Sequence, residues 1–96
     1  MLSTKQETNF HNRLIKFRRE LHRHPELAFQ EVHTSKVICR ELELLGVNYQ
    51  KDIAKTGIIV DISGTNTDNN SPKIALRADM DGLPIQENTG LEFFNW

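Results

Sequence analysis

The sharpest local feature is Asp79-Met80-Asp81, directly after the apolar segment Lys73 to Ala78. On extended backbone, side chains two apart point the same way. Both carboxylates would then share one face at the end of a strand, where α/β folds bind their ligands. Such a pair can hold a cation, or orient a neighbouring base or ligand by hydrogen bonding. Aspartate and glycine are also turn formers, and taken alone Asp79 to Gly82 reads as a polar turn. His22 and His24 form a second candidate. Residues two apart on a helix do not face each other. Pro25 breaks the helix immediately after them, which leaves room for convergence, but histidines at a helix end are commonly solvated there and suit its dipole. His11 and His33 are lone histidines with no assigned role. Cys39, among Val37, Ile38 and Leu42, reads as a small core residue rather than a nucleophile.

The elements that must position these residues follow from periodicity. Phe10, Leu14, Phe17 and Leu21 recur at helical spacing and form one apolar stripe, with Arg13, Lys16, Arg19 and Glu20 mostly opposite. Pro25 ends this helix, because it pushes His24 out of the α region. A short extended link follows, and a second helix begins between Glu31 and Thr34. Its apolar face is Ile38, Leu42 and Leu45, and Gly46 stands where a C-terminal glycine belongs. The period then changes. Val47 to Lys51 alternates and predicts a first strand, Thr56-Gly57 a break, and Ile58 to Ser63 a second strand. Gly64 to Pro72 is a loop rich in turn formers, and Lys73 to Ala78 predicts a third strand. The order ααβββ predicts an α/β layer, with helices packed on a sheet. So few strands leave an edge unpaired, and the last residues, Phe93-Phe94-Asn95-Trp96, bring three aromatics with nothing after them to bury them. Both features suggest part of a larger domain.

Composition excludes several classes. The chain has 96 residues, 12 basic and 13 acidic, for a net charge of −1. That balance gives no electrostatic footprint for nucleic acid or an anionic membrane. No apolar run approaches the length of a membrane span. The N-terminus has no signal-peptide pattern, and a single cysteine suits a reducing compartment. The expectation is a soluble cytoplasmic protein.

Three separated strings then resemble one family. Arg18-Arg19-Glu20-Leu21-His22-Arg23-His24-Pro25-Glu26-Leu27 resembles the opening signature of the amidohydrolase branch of the zinc-peptidase superfamily. Its members include hippurate hydrolases, N-acyl-amino-acid amidohydrolases, auxin-conjugate hydrolases and N-acetyldiaminopimelate deacetylases. Ala54-Lys55-Thr56-Gly57 resembles its first inter-strand turn, and Ile74 to Glu87 its central signature. The match spans roughly residues 10 to 91 in the family's order and spacing.

The resemblance implies that residues 1–96 are a partial catalytic domain, the N-terminal portion of a two-domain hydrolase of amide bonds in N-acyl amino acids. It implies a divalent two-metal site, of zinc or manganese, in the complete enzyme, where the cations hold and acidify a water while a glutamate moves protons. Asp81 matches the family's aspartate and would orient the metal ligands rather than bind metal. Asp79 stands where the wider superfamily has a ligating histidine, as is usual in this branch, and is not assigned as a ligand. No metal ligand is assigned in this chain. The later His-Ala-Cys-Gly-His-Asp motif, the glutamate pair and the distal histidines are absent, so the chain alone is expected to bind no metal and to be inactive. Gly82 replaces a more common alanine. The resemblance allows self-association of the complete enzyme. Two rivals remain: a non-catalytic interaction module, and a phosphotransferase that places Asp-x-Asp after an apolar strand. Only 15 residues follow Asp81, which disfavours the second.

Overall fold

A computed structural model of the chain describes residues 3–68, 70–83 and 85. Helix α1 spans Thr4–Arg23. It starts earlier than the apolar stripe predicts, because Ser3 and Gln6 form a capping box: Ser3 Oγ accepts from the Gln6 N–H at 3.2 Å, and Gln6 Oε1 accepts from the Ser3 N–H at 2.8 Å. This reciprocal pair satisfies two helix-terminal donors. At the other end His24 has left the helical region, with φ −126° and ψ 65°, as the following proline requires.

Helix α2 spans Val32–Leu45 and ends at Gly46, whose φ of 71° is the left-handed conformation glycine adopts without penalty. Ion pairs bridge the helices. Arg40 clasps Glu20 through Nη2–Oε2 at 2.8 Å, and Arg13 reaches Glu41 at 3.0 Å. Both arginines are about half exposed and their partners partly so, and solvent screening leaves each pair a small contribution. The core is thin. Val37 is the buried hydrophobic residue among those described, and the front of the α1 stripe is open, with Phe10 54% and Leu14 48% exposed.

Strands β1, Tyr49–Ile53, and β2, Gly57–Val60, pair antiparallel, with Tyr49 opposite Val60 and Ile53 opposite Gly57. The register is irregular between Gln50 and Ile53, and Ala54 and Lys55 both have positive φ. Such backbone turns a hairpin tightly. Gly57 is required here, since a Cβ would lie 2.6 Å from the Ile53 carbonyl oxygen.

The architecture is therefore α/β, with two helices and a two-stranded antiparallel sheet. The third strand predicted over Lys73 to Ala78 is not formed. A strand exists through its ladder of backbone hydrogen bonds, and among the described residues none pairs with this segment. Ile74 and Leu76 consequently stand 93% and 97% exposed. No helix among the described residues is long and apolar enough to cross a membrane.

Candidate functional site

The link between the helices and the segment after Ala78 are distant in sequence and adjacent in space. The Gly82 N–H donates to the Glu26 carbonyl at 2.7 Å. This approach is close because residue 82 has no side chain: a Cβ would lie 3.1 Å from Pro25 Cβ. An alanine there makes Pro25 yield by a few tenths of an ångström, so the glycine has a packing consequence.

This docking brings His22, His24, Asp79 and Asp81 to the rim of one cleft of about 690 Å³. Ile38 and Leu42 of α2 and Ile58 and Val60 of β2 supply apolar wall. The sequence offered no reason for the histidines to meet the aspartates; the structure brings both pairs to the same cleft. The signals that could have indicated it are Pro25, which halts α1 and turns the chain, and Gly82, which allows backbone to approach backbone.

The electrostatics are those of an open site. Arg77 Nη2 donates to Asp79 Oδ1 at 3.3 Å, with both side chains mostly exposed. The His24 and His33 rings meet edge to face, with centroids 4.8 Å apart. Glu20 is held below the ordinary glutamate value, first by the Arg40 hydrogen bond, with burial opposing and the charges of His33 and His24 assisting.

Two glutamates to which sequence reasoning gave no role organise the surroundings. Glu26 Oε1 accepts from both the N–H and the hydroxyl of Thr34, each at 2.7 Å, and Oε2 accepts from the His33 N–H at 3.1 Å. Burial pulls this carboxyl upward, but the hydrogen bonds outweigh it and leave it below the ordinary value. Glu31 is buried, and its Oε2 accepts from Thr56 Oγ1 at 2.7 Å.

Among the described residues, no three of histidine, cysteine, aspartate and glutamate stand close enough to hold a metal ion. A catalytic zinc normally takes about three protein ligands and a water. His22, His24, Asp79 and Asp81 line the same cleft without forming such a group.

The sequence and fold of this stretch match the amidohydrolase branch of the zinc-peptidase superfamily. The chain is 51% identical over 89 residues to the N-acetylcysteine deacetylase of Bacillus subtilis, covering 88% of this chain and 22% of that protein. It is 49% identical over 79 residues to the IAA-amino acid hydrolase ILR1-like 2 of Arabidopsis thaliana, covering 82% and 17%. Its fold matches the crystal structure of the Bacillus subtilis YXEP protein, a dinuclear metal-binding peptidase of the M20 family. That likeness has a TM-score of 0.80 and 49% identity, over 92% of this chain and 24% of that one. No family model matches the chain. The chain spans about a fifth of the length of the curated relatives it matches.

Proposed function

We propose that these residues form one wall of the active site of a metal-dependent hydrolase that cleaves the amide bond of N-acyl amino acids. The observation that carries this reading is the docking of Gly82 on Glu26, which gathers the His-x-His and Asp-x-Asp strings at one cleft. The named activities of the similar proteins, a deacetylase of N-acetylcysteine and a hydrolase of IAA-amino acids, support the substrate class. Within this reading Asp81 orients the metal ligands and does not bind metal itself. The metal ligands, for zinc or manganese, come from outside this stretch. A cytoplasmic setting is part of the proposal, and the free thiol of Cys39, half-buried in α2, suits it.

A chimera tests the proposal. The chain replaces the 89 matched residues of the Bacillus subtilis N-acetylcysteine deacetylase, and hydrolysis of N-acetyl amino acids and hippurate is assayed. Retained hydrolysis, reduced by Asp81→Ala about 10–100-fold in activity or metal affinity, is the expected result. A chimera that folds and loads metal without turnover, or that tolerates Asp81→Ala, overturns it.

A further inference from the structure

Glu26 acts through two different groups at once. In α2 the N-cap is Glu31, followed by Val32, His33 and Thr34. An N-cap side chain ordinarily accepts from the second or third amide of its own helix. Glu31 makes no such bond, because its carboxylate is turned to Thr56. The two amides it would serve, those of His33 and Thr34, donate instead to Glu26, seven and eight residues upstream. The Thr34 hydroxyl adds a third donor to the same carboxylate. A side chain held by three donors has little torsional freedom, and its own backbone is fixed with it. The carbonyl of that same residue then receives the Gly82 N–H.

We infer that Glu26 is a positioning residue: its carboxylate caps α2 from a distance, and its carbonyl seats Gly82, so that one residue sets the Asp79–Asp81 segment at the cleft. The use made of that segment rests on the function proposed above; the clamp itself does not, and its readouts are independent of Asp81. Removing the carboxylate frees the caps of α2 and, through the backbone of Glu26, loosens the segment.

The test is amide hydrogen exchange and chemical shift by NMR on the 96-residue chain. In the wild type the His33, Thr34 and Gly82 amides exchange at least about tenfold slower than in an unstructured chain. Glu26→Ala releases all three together, and Glu26→Gln, which keeps one carbonyl oxygen, restores part of the Gly82 protection. Asp81→Asn leaves that protection intact. A Gly82 amide that exchanges freely in the wild type, or stays protected in a folded Glu26→Ala variant, overturns the clamp. Should Glu26→Ala lose its helix signal, acid titration of the wild type decides. The three amide shifts are expected to share one midpoint below the ordinary 4.5, with His33 as the nearby charge. A Gly82 shift that loses its transition in the Asp79→Asn, Asp81→Asn double variant overturns it.

Discussion

Thr56 donates its hydroxyl to Glu31 Oε2 at 2.7 Å, and the other oxygen of that buried carboxylate, Oε1, has no hydrogen-bond partner among the described residues. The bond ties the hairpin turn to the start of α2, and it helps hold the left-handed backbone of Ala54 and Lys55, which persists only where its surroundings enforce it. Thr56→Val is isosteric but removes the donor, leaving a buried carboxylate with neither oxygen satisfied. We expect a loss of about 1.5–3 kcal/mol, the range for hydrogen bonds to charged groups. Thr56→Ser should recover part of it. Urea unfolding with an unchanged m-value measures this, and equal midpoints for Thr56→Val and the wild type would refute the tie.

The hairpin supplies an independent prediction. A Cβ at residue 57 would sit 2.6 Å from the Ile53 carbonyl oxygen, and backbone cannot move aside as a flexible side chain can. Gly57→Ala should cost about 1–3 kcal/mol through overpacking and broaden the cross-strand signals between Ile53 and Gly57. Gly46→Ala meets nothing within 4 Å, so its cost comes from the positive φ alone, about 1–2 kcal/mol. Equal stability of the two variants would show that the hairpin relaxes freely around residue 57.

These residues also show how far the sequence was readable. Local rules placed the helix ends, because Pro25 and Gly46 act on their immediate neighbours. The capping box at Ser3 and Gln6 was equally local, and attention to the apolar stripe alone missed it. The strand predicted over Lys73 to Ala78 is not formed among the described residues, because alternating apolar residues report what a segment can pair with, not whether a partner is present. Ile74 and Leu76 carry the pattern and remain exposed. At the site, residue types singled out Asp79 and Asp81, but the meeting with His22 and His24 goes with a long-range backbone contact, the Gly82 N–H on the Glu26 carbonyl. No periodicity encodes such a bond. The same holds for Glu26 and Glu31, whose side-chain partners lie seven to twenty-five residues away.

Tyr49 offers an optical probe, being the single tyrosine in the sequence. Its hydroxyl donates to Glu43 Oε1 at 2.6 Å. That bond, with lesser contributions from burial and the Glu43 charge, pushes the phenol up to about 12. The raised value means that the bond's contribution is intact below the ordinary phenol range and is lost as pH rises through the folded value. Tyrosinate absorbance should therefore appear about two units late, and Glu43→Gln should return it toward about 10. An unshifted titration in the wild type would show that the bond does not persist in solution.

Acid should weaken the fold in a defined window. The Glu20 carboxyl is lowered chiefly by Arg40, and the Glu26 carboxyl by its hydrogen bonds against the pull of burial. Groups that bind protons less tightly when folded contribute their full stability above the unfolded value, here 4.5, and lose it as pH falls through the folded value. Thermal midpoints should hold steady above about pH 5 and decline below 4.5. Arg40→Met should make the decline shallower by removing the Glu20 share while leaving that of Glu26. A decline unchanged in Arg40→Met would assign the acid response to other carboxyls.

The final prediction concerns activity of the 96-residue chain by itself. Hydrolysing an unactivated amide near neutral pH requires a generated hydroxide and stabilisation of the oxyanion. Four donors reach the cleft rim, His22, His24, Asp79 and Asp81, and no three acidic, histidine or cysteine groups among the described residues converge on a metal position. Exposed carboxylates alone hold hard cations such as magnesium weakly, and they do not acidify water as a nitrogen- or sulfur-ligated zinc does. We therefore expect the isolated chain to bind neither zinc nor manganese stoichiometrically and to leave hippurate and N-acetyl amino acids intact. The thin core and the unpaired Ile74 to Leu76 segment also predict a marginal, aggregation-prone fold. Elemental analysis, a ninhydrin assay for released amino acid and a thermal melt settle these points together. One tightly held metal per chain, accompanied by turnover, would mean that the four rim residues do converge and that the wall is a whole site.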